Sequence, residues 1–125
     1  MTAELNHTIL WCSDKAASSA FLADILGLPP PRPFHHFLVV ELDNRVSLDF
    51  YQKEGPVSRQ HYAFLVGEAG FDAAFGRIEA RGLAYWADPA RTKPNEINRH
   101  DGGRGVYFED PDGHLLEIIT RPYGG

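Results

Sequence analysis

Four side chains able to bind a metal stand in extended stretches of this sequence. His7 lies in Leu5-Asn6-His7-Thr8-Ile9-Leu10-Trp11, and His61 in Gln60-His61-Tyr62-Ala63-Phe64-Leu65-Val66. Asp49 is set between Leu48 and Phe50, and Glu117 between Leu116 and Ile118. A carboxylate in a core-forming strand is costly unless it is paired or bound to a cation. Two imidazoles and a carboxylate oxygen, with positions left open, make a donor set for iron(II), manganese, zinc or nickel. One strand histidine alone is more often a core residue than a ligand, so the question is what positions these four together.

The elements that carry them can be read in order. The period of two in the first strand puts Leu5, His7, Ile9 and Trp11 on one face. Asp14 or Ser13 caps a helix over Lys15 to Leu26, with Ala17, Phe21, Leu22 and Ile25 as its buried stripe and Gly27 as its stop. Pro29 to Pro33 can only be an extended edge segment or connection, because proline donates nothing to a ladder. Phe37 to Leu42 and Arg45 to Tyr51 form a hairpin around Asp43-Asn44. The pattern then restarts: strand Gln60 to Val66, helix Gly70 to Arg81 with Phe71, Phe75 and Ile78 inward, and Gly82 as its stop. A short strand Leu83 to Trp86, a long loop Ala87 to Gly103, and a hairpin turning at Asp110-Pro111-Asp112-Gly113 close the chain.

This is an internal repeat. His7 and His61 are 54 residues apart, and the same offset lays Ala20-Phe21 on Ala74-Phe75. Superposing Leu48-Asp49-Phe50 on Leu116-Glu117-Ile118 lays Val40-Glu41 on Phe108-Glu109 at an offset of 68, the longer second loop supplying the difference. Each half is strand, helix, then about three strands. Two histidines thus occupy equivalent first strands and two carboxylates equivalent last strands, and a pseudo-twofold operation can converge all four on one point.

Length and composition bound the alternatives. At 125 residues the chain is long enough to bury a core without disulfides, and it reads as one domain, 1–125, with modules over about 4–52 and 60–121. Its one cysteine, Cys12, excludes an intramolecular disulfide and makes a reducing cytoplasm the expected compartment. No apolar run approaches the roughly 18 to 20 residues of a membrane span, and Met1-Thr2-Ala3-Glu4 lacks the basic start of a signal peptide. A net charge of −5 with scattered lysine and arginine gives no nucleic-acid footprint.

From Asn6-His7-Thr8 to Leu116-Glu117-Ile118 the chain resembles the vicinal oxygen chelate superfamily, the glyoxalase, bleomycin-resistance and ring-cleaving dioxygenase group. Tyr107-Phe108-Glu109-Asp110-Pro111-Asp112-Gly113-His114-Leu115-Leu116-Glu117 is close to that superfamily's C-terminal motif. The resemblance implies an α+β fold of two paired βαβββ modules forming a curved mixed sheet around a metal cavity. It also implies that His7, His61 and Glu117 are ligands. At Asp49 glyoxalase I-like members carry glutamate and other members no ligand. Aspartate is one methylene shorter, so Asp49 ligates, bonds a metal-bound water, or falls short.

Other residues acquire candidate roles. Tyr107, ten residues before Glu117, matches a tyrosine that reaches the substrate in ring-cleaving and phosphonate-binding members, although it also occurs where it only packs. His100, on the glycine-rich loop, lies close to where such enzymes place a general acid or base and is a candidate for that work, with a solvated loop histidine as the plainer alternative. Glu117 doubles as a base if the reaction is glyoxalase I-like. Arg104 and Lys93 are candidates for holding an anionic substrate, with surface charge as the plainer alternative. Trp11 shares a face with His7 and Tyr51 one with Asp49, so either lines an aromatic pocket or packs in the core. His35 and His36 should face water, and His114 should point away from the metal.

The expected activity is that of a divalent-metal enzyme acting on a small oxygen-rich or aromatic substrate. Two histidines and one carboxylate match the facial arrangement of non-haem iron oxygenases, which favours iron(II) and a ring-cleaving dioxygenase-like reaction. A glyoxalase I-like isomerase or lyase, a fosfomycin-type thiol transferase, and a non-catalytic antibiotic-binding protein are the alternatives. Resemblance to fosfomycin-resistance members further implies a homodimer in which His7 of one chain joins His61 and Glu117 of the other.

Overall fold

The computed structural model describes residues 2–123, so the ends of the expected domain, Met1 and Gly124-Gly125, lie outside the described residues. The chain divides into two compact units, Met1–Ser58 and Arg59–Gly125. Each contains one helix and one four-stranded mixed sheet.

In the first unit the strands are β1 (His7–Cys12), β2 (Arg32–Phe34), β3 (Phe37–Glu41) and β4 (Ser47–Gln52), in the order β1-β4-β3-β2. β1 and β4 are parallel, joined by a crossover through α1 (Lys15–Leu26), and the other pairs are antiparallel. Asp14 caps α1 by accepting from the Ala17 amide at 3.1 Å. Gly27 ends it at φ 67°, the left-handed conformation that only glycine enters at little cost. Leu10, Cys12, Val40, Leu48 and Phe50 are buried on the helix side with Phe21, Leu22 and Ile25.

Ala17, expected in the helix stripe, is exposed, and Ser18 and Ser19 are buried in its place. Small size and local bonding make that tolerable. Ser19 Oγ donates to the Lys15 carbonyl at 2.6 Å, so its hydroxyl enters the core satisfied. The proline-rich stretch leads into β2, an edge strand as its composition requires.

The second unit repeats the plan with β5 (His61–Leu65), β6 (Tyr85–Trp86), β7 (Gly105–Glu109) and β8 (Leu115–Ile119), in the order β5-β8-β7-β6. Its helix, α2 (Gly67–Ala80), begins one turn before Gly70 and has no side-chain N-cap, which is why no sequence signal marked its start. Phe71, Ala74 and Ile78 are buried with Phe64, Val106, Phe108, Leu116 and Ile118. The β7–β8 turn closes with Gly113 at φ 83°, its amide donating to the Asp110 carbonyl at 3.0 Å. Across it Asp110 Oδ1 accepts from the Asp112 and His114 amides. His114 is fully buried against Tyr62 on the helix side, turned away from the face that carries Glu117.

In both units the helix covers one sheet face. The other face carries the residues of interest.

Candidate metal centre

Strand register aligns the two units residue by residue. In the first, His7 pairs with Ser47, and two residues on Ile9 pairs with Asp49. In the second, His61 pairs with Leu115, and two residues on Ala63 pairs with Glu117. Histidine and carboxylate therefore share the face opposite the helix in both, one step apart along adjacent parallel strands. The antiparallel neighbours extend each row: Val39 lies beside Asp49, and Tyr107 beside Glu117 with Trp86 beyond it.

In the second unit the side chains meet. His61 Nδ1 lies 3.0 Å from the Leu115 carbonyl oxygen. A carbonyl can only accept, so Nδ1 carries a proton, and in the neutral ring Nε2 keeps its lone pair. That Nε2 is 3.2 Å from Glu117 Oε1. Two lone-pair atoms at this separation repel unless a proton or a cation bridges them, and backbone anchoring of the far nitrogen is how metal-binding histidines are oriented. The donor chemistry of His61 and Glu117 therefore fits a divalent metal.

Glu117 is 0% exposed. Its carboxylate is engaged by Tyr123, whose hydroxyl lies 2.8 Å from each carboxylate oxygen and 3.3 Å from the Tyr107 hydroxyl. Tyr107 stacks against the His61 ring at 6.0 Å between centroids. Burial above all, with the Tyr123 hydrogen bond and the nearby Glu117 carboxylate, pushes the Tyr107 phenol far above its ordinary pKa. Tyr107 therefore stays protonated at neutral pH and is a hydrogen-bond donor rather than a phenolate. Burial and Glu117 raise Tyr123 as well, although its bond with Tyr107 pulls the other way.

In the first unit His7 is exposed, with Nδ1 2.7 Å from the amide oxygen of Asn6, which again leaves Nε2 free. His7 and Asp49 line one cavity of about 280 Å³ together with Arg32, Phe34 and Val39. Trp11 and Tyr51 lie on the same face with ring centroids 5.1 Å apart, and Phe37 packs on Tyr51 at 5.5 Å. Trp11 and Ile9 are 41% and 38% exposed, so this is an open aromatic face and not a closed core. Among the described residues no three histidine, cysteine, aspartate or glutamate side chains are grouped to hold a metal ion. His61 and Glu117 are brought together within the second unit, and His7 and Asp49 share a cavity within the first.

The two loop candidates are placed differently. His100 is exposed in a 3-10 turn, His100–Gly102. Arg104, considered above for an anionic substrate, instead clasps α2. It donates to Glu68 Oε1 at 2.9 Å and Asp72 Oδ1 at 2.8 Å and lies over the Phe71 ring at 4.5 Å. An arginine with both edges of its fork occupied by carboxylates is an anchor for the helix.

Sequence reasoning passed over Tyr123 and Trp86. Trp86 joins the Glu117 row only through the pairing of β6 with β7 and of β7 with β8. Tyr123 lies past the last strand, where no period operates.

A model of the glyoxalase/bleomycin resistance protein/dioxygenase superfamily matches residues 4–118. The chain is 32% identical over 124 residues to the glutathione transferase FosA of Serratia marcescens, covering 94% of this chain and 81% of that protein. Among solved structures it is similar to oxidase ChaP-H1, at 64% identity and TM-score 0.96 over 99% of this chain and 100% of that one. It is likewise similar to oxidase ChaP-H2, at 58% identity and TM-score 0.96 over 100% and 98%. No helix among the described residues is long and apolar enough to cross a membrane. With the doubled βαβββ plan and the matched span agreeing, the chain belongs to the glyoxalase/bleomycin resistance protein/dioxygenase superfamily.

Proposed function

We propose that this chain is a metal-dependent oxidase that uses dioxygen on a small, oxygen-bearing aromatic substrate, with His7, His61 and Glu117 as ligands. The observation that carries the reading is the approach of His61 Nε2 to Glu117 Oε1 at 3.2 Å with the far nitrogen fixed on a carbonyl. Similarity over the full length to two proteins named oxidases supports the reaction class. Iron(II) is the favoured metal, since two imidazoles and a carboxylate with open positions suit it, while manganese, zinc and nickel accept the same donors. When bound, the metal supplies Lewis acidity and, as iron, electron exchange with dioxygen.

The chain's own residues have separable tasks. His61 and Glu117 hold the metal through Nε2 and a carboxylate oxygen. His7 completes the set, supplied by a second copy if the protein is the exchanged homodimer that fosfomycin-resistance-like members suggest. Asp49, in the register of Glu117 but one methylene shorter, bonds a water at the site. Tyr107, neutral and buried, donates a hydrogen bond to a substrate oxygen. Trp86 in the same row, and Trp11 and Tyr51 in the first unit, offer aromatic surface.

Elemental analysis of anaerobically purified protein, followed by oxygen uptake with a panel of catechols, tests this. Iron with substrate-dependent uptake is expected. Zinc or nickel with no uptake would sink it. A second reading, thiol transfer to fosfomycin, is favoured by the 32% identity to FosA, and conjugation of glutathione to fosfomycin would establish it. Retention of all three donors weighs against a non-catalytic antibiotic-binding protein. Light scattering checks the dimer, and a monomer binding one metal per chain would refute exchange.

A further inference from the structure

After β8 the chain turns back onto the face that holds Glu117. The turn is built: the Arg104 amide donates to Thr120 Oγ1 at 2.8 Å, and the Thr120 amide donates to the Arg104 carbonyl at 3.0 Å. Arg121 lies over Gly102 and Gly103. A Cβ added at Gly102 would meet Arg121 Nη1 at 2.9 Å, and one at Gly103 would meet Arg121 Cγ at 3.0 Å, so the glycines make the seat. Tyr123 then places its hydroxyl equidistant from both Glu117 oxygens. Its one proton is shared in the fork between them, in the direction from which a cation would also draw on both. Tyr123 is 44% exposed while Glu117, whose carboxylate its hydroxyl contacts, is 0% exposed, so the phenol bridges the buried carboxylate to the surface.

We propose that Tyr123 is a latch on Glu117. Its hydroxyl holds the carboxylate in the metal-free protein and gives up at least one oxygen when a divalent ion binds, which links metal occupancy to the position of the C-terminal segment. The inference rests on the reading of Glu117 as a metal ligand. A hydrogen bond to a charged acceptor is stronger than a neutral one, and a ligand that must break it binds more weakly by the same factor. Binding of metal and release of Tyr123 are then reciprocal.

The test uses the full-length chain stripped of metal, with manganese(II) alone titrated by calorimetry into wild type, Tyr123→Phe and Glu117→Ala, and metal-free melting curves to check folding. Tyr123→Phe keeps the ring and removes the latch, so it should bind on the order of tenfold more tightly. In wild type, hydrogen exchange over Ile119 to Tyr123 should speed up when manganese is added. A Tyr123→Phe variant that binds equally or more weakly overturns the latch, because the hydroxyl would then be indifferent or supporting. Truncation after Arg121 repeats the measurement should the phenylalanine variant fold poorly. If Glu117→Ala binds manganese as well as wild type does, the ligand reading itself fails. If Glu117→Ala abolishes binding and Tyr123→Phe changes nothing, the latch alone fails.

Discussion

His61 points Nε2 at Glu117 Oε1 across 3.2 Å while its Nδ1 is held by the carbonyl of Leu115, its own partner in the parallel ladder. The ladder that pairs β5 with β8 therefore also orients the histidine ring. Asn6 does the equivalent for His7 through its side chain, a looser arrangement on an exposed strand.

Loss of the donors should be read first as loss of metal-linked stability. With metal at about a hundredfold excess over Kd, binding stabilises the fold by about 2.7 kcal/mol, on the order of several degrees in Tm for a chain of this size. Glu117→Gln keeps the shape and a hydrogen-bond acceptor for Tyr123 but should abolish that rise. His61→Ala should weaken metal binding by more than about 100-fold, since loss of even an outer partner costs about 10- to 100-fold. Thermal melts with and without added metal check both.

Tyr107→Phe removes a buried donor without changing the ring that stacks on His61. Metal content should be unchanged while kcat falls by about 10²-fold, the range for one positioned proton donor, with KM moving much less. Equal kcat in the two proteins would reduce Tyr107 to a packing residue.

Arg104→Ala should act on stability and not on turnover. The guanidinium bridges Glu68 and Asp72 of α2 to the start of β7. Its loss should lower Tm by a few degrees, an effect of about that size being expected for one partly exposed charged anchor, and the deficit should shrink at high salt. Steady-state kinetics should give kcat/KM within about twofold of wild type for a contact remote from the chemistry. A large rise in KM would return Arg104 to the substrate site.

Asp110 makes stability depend on pH. Burial raises its carboxyl above the ordinary range, with the His114 amide and ring pulling the other way. The folded state thus holds the proton more tightly than the unfolded state. This contribution is fully present below the unfolded value of about 3.9 and is lost as pH rises through the raised folded value. Asp110→Asn keeps an acceptor for the Asp112 and His114 amides and cannot ionise. Urea melts should find the variant gaining on wild type as pH rises above about 4. A difference that stays flat with pH would mean that folding leaves the Asp110 carboxyl unshifted.

Local chemistry made much of this protein legible before any fold was known. Alternation placed His7, Ile9 and Trp11 on one face, Asp14 and Gly27 bounded a helix, and the repeat paired His7 with His61 and Asp49 with Glu117. Each depends only on residues near in sequence or on a comparison of the chain with itself. The start of α2 escaped because Val66 offers no capping side chain, and the Ser18-Ser19 core surface because a serine hydroxyl bonded to its own helix passes for a polar exterior. Only the tertiary structure decided which groups meet. The Leu115 carbonyl holds His61 through parallel pairing across 54 residues, and Arg104 is drawn to Glu68 and Asp72 by the docking of α2. Tyr123 reaches Glu117 because Arg121 lies over two glycines. Periodicity states which way a side chain faces, but the atom it touches is set by the return of the chain.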